Sequence, residues 1–259
     1  MDARRMGLCL VLSGLVFLPF GCGKQEKVVK GLGLKMLRVE SGTFTMGSPA
    51  SESGRDSDEV QHAATITKEY WLGKYEVTQG EWSAVMGSAP SNFKGNNRLP
   101  VEQVSWGDAM AFCQKLTETE RSAGRLPEGY VYTLPTEAQW EYACRAGSTA
   151  AYAGDLDAMA WYDGNSGYKT HPAGSKLANA WGFHDMHGNV SEWCSDWYGD
   201  YAAGSITDPT GPSRGSYRVN RGGGWRLNAS HCRSAKRDGN GPDDRSNSLG
   251  FRLCLAPVR

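Results

Sequence analysis

The chain has 259 residues, 28 basic and 28 acidic side chains, and a formal net charge of zero. This balance supplies no field of either sign to draw nucleic acid or an anionic membrane surface, so neither is expected as an electrostatic partner. With 33 glycines and 9 tryptophans, the length suits one loop-rich domain in which indoles fill the space that regular elements leave open.

At the N-terminus, Arg4 and Arg5 precede an apolar run from Leu8 to Phe20, then Gly21-Cys22 and a polar stretch. This pattern predicts a signal segment over residues 1–22 and an exported, cell-envelope or secreted chain. The run is short for a membrane span. The small residue directly before Cys22 resembles a bacterial lipoprotein cleavage box and makes Cys22 the candidate lipidated residue, although Pro19 stands where such boxes carry leucine. The alternative is ordinary secretion. A lipid on Cys22 would make the membrane a partner through the anchor. Residues 23–35 read as a tether, and the domain is expected over 36–259.

Met36–Val39 alternates as a strand. Thr43–Gly47, Ala64–Ile66 and Tyr70–Val77 read as further strands, separated by an acidic loop over Ser48–Glu59. Thr78 followed by Glu81 has capping-box spacing, which predicts a helix stopping near Gly87. Ser105 caps a second helix on which Ala109, Phe112, Cys113 and Leu116 share an apolar face. After a strand at Tyr130–Tyr132, Thr136 caps a third helix with Gly147 as its stop. Ser148–Ala180 shows no period and reads as loop.

The segment Arg221–Cys254 opens on three glycines and Trp225, closes on Leu249-Gly250-Phe251-Arg252-Leu253-Cys254, and is polar between. Such a composition builds no core of its own. Held between anchored ends, it is either a binding surface or a loop over a catalytic pocket. Upstream, Asp185 and Glu192 bracket a glycine-bearing turn, so two carboxylates and turn carbonyls can converge on a hard cation. His184 and His187 lack further soft ligands nearby and are read as turn residues rather than a zinc site.

Six ordered blocks carry a family resemblance: Gly42–Gly47, Tyr75–Thr78, Leu134–Glu141, Gly182–Trp193, Arg221–Trp225 and Leu249–Arg252. Together they closely resemble the formylglycine-generating-enzyme, or sulfatase-modifying-factor, family. The resemblance implies an irregular α+β domain related to the C-type lectin fold, with little regular secondary structure. It also implies structural calcium on the side chains of Asp185 and Glu192 and the carbonyls of Gly188 and Val190. Enzymes of the family oxidise a substrate cysteine with two cysteines, five apart, that hold Cu(I), a soft ion needing thiolates. Counted from Gly222–Gly224, those positions are Leu227 and Cys232. Leucine cannot ligate copper, so copper is not expected, and Cys232 is a catalytic candidate only if the chain is an oxidase.

The resemblance further implies Cys144–Cys232 and Cys113–Cys254 disulfides, leaving Cys194 unpaired. The last segment also resembles variable proteins of diversity-generating retroelements, whose scaffold pieces match Gly222–Trp225, Cys232–Ala235, Arg237, Arg245 and Leu249–Arg252. Between them, Arg226, Leu227, Asn228, Ser230, His231, Lys236, Asp238, Asn240, Asp244, Ser246 and Asn247 are candidate ligand-binding residues, with Trp225 as anchor. Arg, His and Asn supply adaptable hydrogen bonds, and an indole supplies contact area. The favoured expectation is a calcium-stabilised binding module for a protein or carbohydrate ligand. The alternative is a formylglycine-generating oxidoreductase.

Overall fold

The computed structural model describes residues 25–258. The predicted signal segment and Cys22 lie outside them. Twelve strands and four helices follow in the order β1 (Glu26–Val29), β2 (Leu34–Val39), β3 (Gly42–Met46), β4 (His62–Ile66), β5 (Tyr70–Gly73), α1 (Gln79–Met86), α2 (Trp106–Ser122), β6 (Tyr130–Thr133), α3 (Glu137–Arg145), α4 (Leu156–Met159), β7 (Ser191–Trp197), β8 (Ile206–Thr207), β9 (Arg218–Arg221), β10 (Arg237–Asn240), β11 (Leu249–Gly250) and β12 (Cys254–Pro257). The class is α+β with little regular structure, as expected. Among the described residues, no helix is long and apolar enough to cross a membrane.

The helix starts follow from local chemistry. Thr78, Ser105 and Thr136 each accept from the backbone N–H three residues on, and Glu81, Asp108 and Gln139 return the bond to the cap's own N–H. These reciprocal bonds satisfy amides that have no partner within a first turn. Gly87 ends α1 at φ 73°, but α3 ends on Ala146 at φ 47°, one residue before the expected Gly147.

The strands form a five-stranded sheet ordered β1-β2-β5-β12-β6, a four-stranded sheet ordered β10-β9-β7-β11, and a three-stranded sheet ordered β3-β4-β8. The domain begins earlier than the sequence suggests. Within the expected tether, Glu26–Val29 pairs antiparallel with β2 in the register Glu26↔Leu37, and Val29 is buried. The strand read over Tyr70–Val77 stops at Gly73, where the N–H donates to the Leu253 carbonyl at 2.7 Å.

Two apolar clusters fill the interior. One packs α1 and α2 on the large sheet, with Trp82 stacked on Phe112 at 5.7 Å and Phe251 edge-on to Phe112 at 5.4 Å. The other gathers Trp140, Phe183 and Met186 under α3. The two fully buried indoles find acceptors, Trp193 on the Val104 carbonyl at 3.0 Å and Trp140 on Glu192 at 2.7 Å, as burial of an N–H requires.

The expected disulfides are not formed: Cys113, Cys144, Cys194, Cys232 and Cys254 are all buried free thiols. Cys144 Sγ lies 3.8 Å from His187 Nε2 and 3.7 Å from the Met186 carbonyl, while Cys232 Sγ is packed beneath Gly223. Burial pushes the Cys144 and Cys232 thiols up to about 12, so both are protonated at neutral pH.

Removal of one cap should be measurable. Thr136→Ala is expected to lower the unfolding free energy by about 1 kcal/mol in a urea titration; an unchanged midpoint at unchanged slope would contradict this account of α3.

Candidate functional site

The segment after β9 is fastened at its start by glycines. Gly222 and Gly223 adopt φ of 98° and 72°, a region that side chains rarely enter. A Cβ on Gly223 would sit 2.7 Å from Cys232 Sγ and 2.8 Å from the His231 carbonyl, so close backbone approach requires glycine there.

Trp225, the expected ligand anchor, follows, and it serves as a fastening. It is only 8% exposed. Its N–H donates to the Asn189 carbonyl at 2.8 Å, its Nε1 to the Asn247 carbonyl at 2.9 Å, and its ring meets Phe93 edge-on at 5.4 Å. The indole thus ties the two sides of the segment together.

From beneath, buried arginines hold the rest. Arg221 bridges Glu141 and donates to the carbonyls of Ala235 and Ser234 at 2.7 and 3.0 Å. Arg233 chelates Glu59 at 2.6 and 2.7 Å and reaches Glu52 at 2.7 Å. Arg237 grips Glu137 at 2.6 and 2.9 Å. Burial alone would raise the Glu137 carboxyl, but Arg237 and Arg221 outweigh it and hold it below its usual range.

Over this base the segment borders an open polar cavity of about 220 Å³. Arg226, Leu227, His231, Asp238, Asn240 and Ser246 line it, all of them expected from the sequence. Arg226 is exposed and reaches Ser246 Oγ at 3.3 Å. The other candidates lie outside the lining. Asn228 caps a 3-10 turn over Ala229–Cys232, accepting from the N–H and hydroxyl of Ser230 at 3.0 and 2.7 Å. Lys236 is drawn to Asp56 at 2.7 Å and Asp238 at 3.2 Å. Asp244 accepts from the Gly241 N–H at 2.9 Å and closes a turn, and Asn247 contributes its carbonyl to Trp225.

Sequence reasoning missed Ser191 and Asn220, which form part of the cavity wall. Their signal is faint, since each stands on a strand next to a recognised motif. Leu227 faces the cavity where the resemblance puts the first copper thiolate, whereas Cys232 lies buried on the 3-10 turn.

The turn at 185–192 brings together a buried acidic group. Asp185 Oδ2 accepts from the Gly174 N–H at 2.7 Å, while Oδ1 is buried with no hydrogen-bond partner among the described residues. Burial raises the Asp185 carboxyl to about 6. Glu76, missed from the sequence, accepts from Asn189 Nδ2 at 2.7 Å and the Val190 N–H at 3.0 Å. The residues fit calcium only in part. Asp185 offers a free buried oxygen, but both Glu192 oxygens are taken by Arg252 at 2.6 Å, one of them also by Trp140. As placed, Glu192 is therefore the counter-ion of Arg252 rather than the expected calcium ligand.

Residues 24–257 match the Sulfatase-modifying factor enzyme 1-like domain. The chain belongs to this family. It is 33% identical over 237 residues to Chaperone protein LppX of Paenibacillus barcinonensis, covering 73% of this chain and 78% of that protein. It is 36% identical over 221 residues to the formylglycine-generating enzyme of Streptomyces coelicolor, covering 76% of this chain but 63% of the enzyme. Among solved structures, Treponema denticola variable protein 1 superimposes with a TM-score of 0.81 at 32% identity, over 90% of this chain and 99% of that one. Both halves of the resemblance drawn from the motifs, to the sulfatase-modifying factors and to variable proteins, thus have counterparts among relatives of the whole domain.

The fastenings and the cavity wall of this family domain should respond differently to substitution. Arg233→Met leaves the Glu59 carboxylate buried and is expected to cost about 3–5 kcal/mol. Arg226→Ala should stay within about 0.5 kcal/mol of the parent. Chemical denaturation of the two variants side by side checks both, and equal losses would remove the distinction between base and wall.

Proposed function

We propose that the domain is a non-catalytic, ligand-binding member of its family, exported and held at the membrane by a lipid on Cys22. The single observation that carries this reading is the polar cavity whose wall is built largely by the segment's own side chains, with Ser191 and Asn220, over a base of buried ion pairs. Wall residues on a rigid base can change without loss of the fold, which is what a recognition surface needs. The likeness to a protein named as variable supports the same reading. Leu227 supports it chemically, because a single buried, protonated thiol at Cys232 does not provide the paired thiolates that Cu(I) requires. The ligand class is a protein or carbohydrate able to meet Arg226, Asp238 and Asn240 with complementary hydrogen bonds.

Competition titration with a Cu(I) chelator tests the non-catalytic part. No copper uptake dependent on Cys232 is expected, and no formylglycine in a sulfatase-motif peptide incubated with the protein. One equivalent of Cu(I) lost in Cys232→Ala, with peptide oxidation lost alongside, would establish the oxidase instead. For the binding part, a glycan and peptide array probed with the parent and with an Arg226→Ala/Asp238→Ala/Asn240→Ala variant should give signals that only the parent retains.

Calcium is proposed at Asp185, whose Oδ1 is buried without a hydrogen-bond partner among the described residues, with the carbonyls of Gly188 and Val190 as the further ligands that the family resemblance implies. Added calcium should then raise the melting temperature of the parent and leave Asp185→Asn unmoved. Equal responses of the two proteins would exclude this site. Lipidation predicts a mature N-terminus that begins at an acylated Cys22; mass spectrometry finding an unmodified start elsewhere would reject the anchor.

A further inference from the structure

Under the polar cavity, β9 and β10 pair in the register Asn220↔Asp238, which puts both side chains on one face of the sheet, and Asn240 follows on that face two residues later. Asn220 is only 2% exposed, yet it borders the cavity. An amide side chain donates at one end and accepts at the other, so the end turned to the cavity decides what the floor can read.

The neighbouring bonds fix that orientation. The carboxylate of Asp244 accepts from the Gly241 N–H at 2.9 Å, and Asn240 turns its Nδ2 to the same oxygen at 3.2 Å. Asn240 is thereby left with Oδ1 facing Asn220, whose Nδ2 donates to it at 3.0 Å. The relay ends on Asn220 Oδ1, which accepts from no described residue and keeps accessible surface where Asn220 borders the cavity. Ser191 adds a second acceptor: its hydroxyl hydrogen is spent on the Gly223 carbonyl at 2.9 Å, so only the lone pairs of Oγ remain to offer. An acceptor this deep is unfavourable without a donor, and the floor calls for a group that brings hydrogens.

Charge and size narrow the group. Arg226 and Asp238 set one guanidinium and one carboxylate in the wall, so a ligand charge of either sign meets repulsion from one of them. A hydroxyl donates and accepts without charge. Several hydroxyls on one rigid ring can donate to the floor and accept from Arg226 at a low cost in ordering. The volume of about 220 Å³ lies below the range of about 300–1,000 Å³ of drug-sized sites, which suits a single sugar ring.

We propose, resting on the recognition role given to this cavity above, that Asp244 acts through Asn240 to hold Asn220 Oδ1 as a fixed acceptor at the floor, and that the group read there is a hydroxyl of a neutral sugar. Asp244 stands outside the lining and is a positioning residue.

NMR titration of the full chain with the methyl glycosides of glucose, galactose, mannose and N-acetylglucosamine tests the assignment. Saturable binding of at least one, with a Kd of about 10 mM or tighter, is expected. Analogues of that glycoside with one hydroxyl replaced by fluorine, which cannot donate, should reveal one ring position at which affinity falls at least about tenfold. Asp244 is exposed, so substitutions there leave the core intact. In Asp244→Ala the two amides are free to turn over, and the hydroxyl-to-fluorine affinity ratio should fall toward one. Asp244→Asn keeps an oxygen for the Gly241 N–H and for Asn240 and should retain the ratio. A merely structural role for Asp244 would weaken both ligands alike and leave the ratio unmoved, which would overturn the relay. Failure of every glycoside to bind would overturn the sugar; peptide signals on the array described above would then leave the recognition reading standing, and silence there as well would remove both.

Discussion

Buried arginine–carboxylate pairing is the constraint on which this domain depends. Arg221, Arg233, Arg237 and Arg252 are each at most 3% exposed, and each meets a glutamate that is buried as deeply. Such pairs contribute little net stability against an apolar core of equal volume, because desolvation offsets the attraction. What they do provide is position. A guanidinium offers a rigid fork of donors, and each fork meets a carboxylate together with nearby backbone carbonyls. The path of the chain between residues 221 and 252 is thereby set by groups that face inward.

The outward-facing groups are released from structural duty as a result. Strand β10 shows the division at single-residue resolution: Arg237 is clamped to Glu137, and Asp238 beside it borders open space. Trp225 and the paired glycines serve the same end from the side, closing the segment without a disulfide. The side chains that line the polar cavity are tips on a fixed lattice, and the lattice places few demands on which tips they are.

Legibility in the sequence followed the range of the interaction. The caps at Thr78, Ser105 and Thr136 are bonds over three residues, and their spacing is visible in the chain. Six lining residues of the polar cavity could be named because the motifs flanking them are local. By contrast, Arg233 finds Glu59 across 174 positions, and no periodicity announces that pairing. Burial misled in the same way: Trp225 looks like a ligand anchor until Phe93 and Asn247 are seen to occupy it. Glu26–Val29 is too short and too charged to signal a strand, and only its register against β2 makes it one. The bonds of Glu76 to Asn189 and of Asn220 to Asn240 depend wholly on tertiary assembly.

The placement of β12 has a consequence for biosynthesis. This last strand lies inside the large sheet, hydrogen-bonded to β5 on one side and β6 on the other. It leaves the ribosome after the whole polar segment has been made. A chain whose reading frame fails anywhere in that segment lacks β11, Arg252 and β12 together, so Glu192 is left unpaired and two strand edges remain open. Completion of the sheet is in effect a check on the message: only an intact segment, whatever its side chains, yields a closed domain.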